Sequence, residues 1–206
     1  MTAALKIESL TEDEYFALEE RSSTKHEFWN GTIVAMAGAA PRHNRITMRV
    51  ARALANRLDD TGCEVTTSDQ KIKTEDAVFT YPDVVVSCED EQFDPRRPHV
   101  LLNPHILVEI LSPSTRNADR GAKLAAYQNL PSLLDYLIVW PDMVQIEHYA
   151  RQTETDWRFR RLLNRSQLIE FAAQGLTIPV EEFYRRLDLP EGILNLELPL
   201  EEEDDQ

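Results

Sequence analysis

An α/β domain with a mixed central sheet flanked by helices is what this 206-residue sequence predicts. Three observations carry that prediction. Unbroken aliphatic runs, Val84-Val85-Val86 and Ile106-Leu107-Val108, suit strands buried on both faces. Ile46, Val50, Leu54 and Leu58 recur every four residues, which is the stripe of an amphipathic helix. The order helix, β-rich middle, helix, β, with no repeat or linker, fits a single layered domain over residues 1–190, with an acidic tail over 191–206.

The elements follow in chain order. Thr11-Glu12-Asp13-Glu14 is a capping box, and it starts a short helix that runs to about Arg21. Asn30-Gly31 between Lys25–Trp29 and Thr32–Met36 predicts a hairpin, because both turn residues must accept positive φ. A helix over 43–58 ends at Gly62. Strands are expected at 63–67, 70–74, 82–87 and 105–111. The polar stretch between Glu89 and Pro104, with Pro95, Pro98 and Pro104, reads as a loop. Ser112-Pro113-Ser114-Thr115 is a sharp exit before a helix over 117–129. Strands at 136–140, 144–149 and 157–162 and a short helix within 179–187 complete the chain.

Composition narrows the function classes. Hydrophobic content of 42% and charged content of 28% are those of a globular chain. No apolar run approaches the roughly 18–20 residues that span a bilayer, and the first six residues lack a signal-peptide core. A cytoplasmic protein without membrane association is therefore expected. Cys63 and Cys88, the only two cysteines, are expected as buried free thiols. Neither has a partner at zinc-ligand spacing. The net charge of −14 opposes nonspecific DNA binding. Eight of the acids fall after Leu187, where there is no Lys or Arg, and discounting them leaves −6 on the body.

Asp83 and Glu109 carry the chemistry. Each stands at the end of an apolar strand, where an ionised carboxylate is costly without a cation or a hydrogen-bond partner. Two acids on adjacent buried strands need positive charge between them, and a hard divalent ion with oxygen ligands supplies it. Surface strand ends, or pairing with arginine, would be the ordinary alternative. In the helix over 43–58 and just before it, Arg42, Arg45, Arg49 and Arg52 fall within about 80° of arc at 100° per residue. That face suits a phosphate backbone, or simply water. His43 reads as a capping or packed imidazole.

These residues resemble the PD-(D/E)XK nuclease superfamily, in the pattern Pro82-Asp83 followed after 25 residues by Glu109 on the next strand. More closely, the chain resembles the Uma-two family of endonuclease-like proteins over roughly residues 10–150. The matching stretches are Lys25–Phe28 with Gly31, Pro41–Ile46, Tyr81–Val84, Val108–Thr115, Asp119–Leu124 and Leu130–Leu133. The resemblance implies a restriction-endonuclease-like fold and Mg²⁺- or Mn²⁺-dependent hydrolysis of DNA. Asp83, Glu109 and the Ile110 carbonyl would hold the metal. The superfamily places a lysine two residues after the strand glutamate, and this chain has Leu111 there. The resemblance implies that Lys123 takes over. Its alternative is an i,i+4 pair with Asp119, and Lys71 is the reserve, more readily a solvated strand residue. Glu27 is implied at the mouth of the site, or is a surface acid near Lys25. A homodimer through exposed apolar residues around Trp140 and Tyr149 is a further expectation. A non-catalytic nuclease-fold module and a hydrolase of small phosphate esters are the rival readings.

Overall fold

The computed structural model describes residues 10–36, 38–74, 77–88, 90–112 and 115–192. Most of the acidic tail and the Pro113-Ser114 pair of the strand exit lie outside the described residues.

The chain opens with α1 (Glu12–Glu19), whose capping box is complete: Thr11 accepts from the Glu14 amide and Glu14 accepts from the Thr11 amide. Strands β1 (His26–Trp29) and β2 (Thr32–Ala35) pair antiparallel through Asn30 and Gly31, both at positive φ, as the hairpin turn requires. Helix α2 (Pro41–Leu58) begins two residues earlier than the hydrophobic stripe indicates, with Pro41 in its first turn. Its buried face carries Ile46, Val50, Leu54 and Leu58.

The strand-rich middle builds two six-stranded sheets, where the sequence indicated one. Strands β4 (Lys71–Lys73), β5 (Val78–Thr80), β7 (Phe93–Asp94) and β8 (Arg97–Leu101) join the hairpin in the order β2-β1-β5-β4-β8-β7. The stretch expected to be a loop therefore contains two strands. Pro98 is tolerated because β8 meets β4 through Val100 and Leu101, beyond the proline. The second sheet runs β12-β11-β10-β9-β6-β3, built from β3 (Cys63–Thr67), β6 (Val84–Cys88), β9 (Ile106–Ile110), β10 (Asp135–Val139), β11 (Ile146–Arg151) and β12 (Trp157–Leu162). Only β9 and β10 pair in parallel there, joined by α3 (Arg116–Asp119) and α4 (Ala122–Gln128). A separate hairpin, β13 (Leu168–Phe171) with β14 (Leu176–Pro179), and α5 (Val180–Tyr184) close the described chain. The hairpin has no sequence signal beyond Gly175 in its turn at φ 63°.

Alternation along the second sheet divides the core. Val84, Val86, Ile106, Val108 and Ile110 pack under α2, α5 and the β13–β14 hairpin. Val85, Leu107, Tyr136 and Ile138 face the other way, onto Ile72 and Leu101 of the first sheet and Tyr127 of α4. Phe28, Ile33, Phe79 and Val100 bury α1 on the outside of the first sheet.

Three expectations are corrected. Cys63 and Cys88 form a disulfide, because β3 and β6 pair antiparallel with these two residues directly opposite, Cα to Cα 3.9 Å. Lys71 is 2% exposed rather than solvated, since Tyr15 and Phe16 of α1, with Tyr81, cover its ammonium. Trp140 is buried under the Arg116 guanidinium, 4.6 Å from the ring, so it offers no dimer surface. Among the described residues, no helix is long and apolar enough to cross a membrane.

Candidate active site

β6 and β9 pair antiparallel with Val84 opposite Val108, so one step further along the ladder Asp83 stands opposite Glu109. Asp83 has left the sheet at that point. Its Oδ2 accepts from the Ile110 amide at 2.8 Å, which fixes the carboxylate at the end of the strands. The first turn of α2 reaches the same place, with His43 Nε2 3.1 Å from Asp83 Oδ2. Burial alone would lower the imidazole pKa, but Asp83 and the Ile110 carbonyl hold it above its ordinary value. His43 is thus paired with Asp83 and is more than the packed cap the sequence indicated.

Glu109 is buried at 4% exposure and meets α4. Lys123 Nζ lies 3.0 Å from Glu109 Oε1, 2.8 Å from Glu27 Oε1 and 3.4 Å from Asp119 Oδ1. The i,i+4 contact with Asp119 is therefore real but is only one of three. Tyr127 donates to the same Glu109 oxygen at 2.9 Å and contacts Thr80 Oγ1 at 3.0 Å. Lys123 and Tyr127 lie one turn apart on α4, and Asp119, at the end of α3, stands four residues before Lys123. Gly121 makes the join between α3 and α4 possible: a Cβ there would sit 2.9 Å from the Asn117 carbonyl oxygen. Glu27 enters from β1 of the other sheet, and Trp29 Nε1 donates to its Oε2 at 3.3 Å. The site therefore lies where the two sheets and the crossover helices meet.

Leu111, where the superfamily places its lysine, is 1% exposed and part of the core. The ammonium beside Glu109 belongs to Lys123 of α4. Lys71, the reserve candidate, points elsewhere, to Glu19 at 3.5 Å and the rings of Tyr15, Phe16 and Tyr81.

The electrostatics are lopsided. Four carboxylates, Glu27, Asp83, Glu109 and Asp119, share one ammonium and one imidazole. Burial pushes the Glu109 carboxyl well above the usual range. Lys123 opposes that rise, while Asp119, Asp83 and Glu27 add to it. Asp119 is raised for the same leading reason, and both its oxygens are buried without a well-formed hydrogen bond. Burial would strip the Lys123 proton, but Glu109, Glu27 and Asp119 outweigh it and hold the ammonium charged. Burial, with Glu109 and Glu27, also keeps the Tyr127 phenol protonated, so it remains a donor.

A divalent cation would offset that deficit of positive charge. Asp83, Glu109 and the Ile110 carbonyl form an all-oxygen donor set, which fits a hard ion such as Mg²⁺ or Mn²⁺. Among the described residues no three His, Cys, Asp or Glu side chains group to hold a metal. Such an ion would complete its shell with water and substrate oxygens, as Mg²⁺ commonly does.

The chain is similar to several known proteins. Residues 12–181 match the family model Uma2, described as "Putative restriction endonuclease". The uncharacterized protein slr1290 of Synechocystis sp. PCC 6803 is 37% identical over 181 residues, covering 86% of this chain and 93% of that protein. A second protein from the same organism, sll1609, is 32% identical over 164 residues, 79% of this chain and 93% of its own length. The crystal structure of a "putative nuclease belonging to DUF820" from Anabaena variabilis superposes with a TM-score of 0.69 at 15% identity, over 84% of this chain and 97% of that one. That likeness establishes the fold.

Proposed function

The chain belongs to the Uma2 family, and from that premise we propose that it is a Mg²⁺- or Mn²⁺-dependent endonuclease that hydrolyses DNA phosphodiester bonds at the Asp83–Glu109 end of the second sheet. The observation that carries this reading is the uncompensated carboxylate cluster around Lys123. A purely structural ion pair needs one acid per base, because each further buried carboxylate adds desolvation cost with no new attraction to offset it.

Asp83, Glu109 and the Ile110 carbonyl would hold the metal, which would lower the pKa of a water and offset charge on the phosphate. His43 and the Ile110 amide orient Asp83. Tyr127 and Lys123 orient Glu109 through the same oxygen. Lys123, held by Glu27, Glu109 and Asp119, offsets negative charge as it builds on a non-bridging phosphate oxygen. Glu27 also accepts a hydrogen bond from the water that attacks.

The test is conversion of supercoiled plasmid to nicked or linear forms with Mg²⁺ or Mn²⁺, stopped by EDTA. Glu109→Gln and Asp83→Asn should each lower the rate by about 10³-fold or more while keeping the fold, an effect at the upper end of what one removed charge-stabilising group costs. Tight Mn²⁺ binding without cleavage of any DNA would identify a non-catalytic module, and turnover of small phosphate esters alone would identify the other rival.

A further inference from the structure

The outer face of α2 forms one wall of an open groove of about 520 Å³. Asn44, Arg45, Met48, Arg49 and Arg52 line it from the helix, and Arg185 and Arg186 line it from the segment after α5. No acid lines it. The contrast within one helix is instructive. Arg42 pairs with Asp142 at 3.0 Å and Arg57 with Glu182 at 2.6 Å. Arg45, Arg49 and Arg52 have no ion-pair partner among the described residues, and neither do Arg185 and Arg186. In a chain of net charge −14, unpaired arginines should drift towards acids, yet five of them face one another.

Two details show that this crowding is held in place. Arg49 Nη1 is buried without a hydrogen-bond partner. Arg186 adopts φ 60°, a left-handed conformation that a residue with a Cβ takes at a cost. Burial, followed by the fields of Arg45, Arg52 and Arg186, also lowers the Arg49 pKa. A fixed cluster of like charges with an orphaned donor is completed by an anion carrying several oxygens.

We infer that this groove is a docking site for the phosphodiester backbone of DNA, separate from the acid cluster. The choice of polyanion rests on the nuclease reading above, whereas the groove itself does not. From Arg45 to Arg52 the helix rises about 10 Å at 1.5 Å per residue, which matches about three steps of 3.4 Å along one strand. His43, on the first turn of the same helix, touches Asp83. A backbone lying in the groove is thereby registered to the catalytic end of the sheet by a rigid element.

The test is fluorescence anisotropy with a short duplex in EDTA, so that nothing is cut, across a salt series. Five phosphate contacts give the intact protein a log–log slope of about −4.5. Replacing Arg45, Arg49, Arg52 and Arg185 with Gln and Arg186 with Asn, which accepts the left-handed backbone, should bring the slope above about −1. The two smaller variants, Arg45/Arg52 and Arg185/Arg186, remove only exposed side chains and guard against misfolding. Each should give about −2.7. An unchanged slope in the five-fold variant, or no affinity of the intact protein even at low salt, overturns the groove. Steep-slope binding without any metal-dependent cleavage leaves the groove standing and removes the nuclease reading. Cleavage with an unchanged KM in the five-fold variant does the reverse.

Discussion

Two buried lysines divide this molecule. Lys123 and Lys71 are 3% and 2% exposed, each near the junction of a sheet and a helix. Lys71 sits over the rings of Tyr15, Phe16 and Tyr81 with one carboxylate, Glu19, in reach. Burial wins there, and its pKa falls to about 8. Lys123 meets three carboxylates within 3.4 Å, and its pKa rises despite the same burial. The difference teaches that burial does not decide the state of a lysine; the charge of its neighbours does. Lys71 has what one ammonium needs. Lys123 has more acid around it than one ammonium neutralises.

The comparison is most exposed to failure in activity. Lys123→Met should lower metal-dependent plasmid cleavage by about 10²–10³-fold, and Lys71→Met should change it less than twofold. Equal losses from the two variants would mean that both lysines merely support the fold.

Stability comes next. Removing the base from a buried cluster of acids leaves uncompensated charge, so Lys123→Met should cost about 3–5 kcal/mol in metal-free urea unfolding. Mn²⁺ should restore part of that loss, because it replaces the missing charge. No restoration at saturating Mn²⁺ would place the ion elsewhere. Tyr127→Phe removes one hydrogen bond to the Glu109 carboxylate and should cost about 1.5–3 kcal/mol, checked in the same unfolding series.

The subtlest difference is in pH. The raised Glu109 carboxyl contributes stability below the ordinary carboxylate range, and this is lost as pH rises through its folded pKa. In EDTA, melting temperature should therefore fall with rising pH above about 4.5 in the native protein and fall less in Glu109→Gln. Lys71 has the opposite sign. Its contribution is present above 10.5 and is lost as pH falls to about 8. Lys71→Met should abolish a rise in melting temperature across that alkaline window. A Glu109→Gln profile parallel to the native one would show that the cluster carries no excess charge.

Much of the site was legible along the chain because it is written in local signals. Asp83 and Glu109 end apolar runs, and an acid in such a place asks for a partner whatever the fold. The four-residue spacing of Lys123 and Tyr127 marks one face of α4, although a tyrosine there reads equally well as core. Glu27 was placed at the site only by family resemblance. Its neighbours on β1 say nothing of Lys123, which lies nearly a hundred residues on.

The sequence by itself determined the elements whose cause is local: the capping box of α1, the Asn30-Gly31 hairpin, the α2 stripe and the buried strands β6, β9 and β10. Tertiary structure alone decided the pairing. It split the strands into two sheets, drew β7 and β8 out of a proline-rich stretch and set Cys63 opposite Cys88. It also buried Trp140 and Lys71, and it brought Arg185 and Arg186 to the outer face of α2. Propensity and periodicity act over a few residues, while sheet order and register are fixed by burial between segments distant in the chain. The contacts that define this site, Glu27 to Lys123 and His43 to Asp83, are of that second kind.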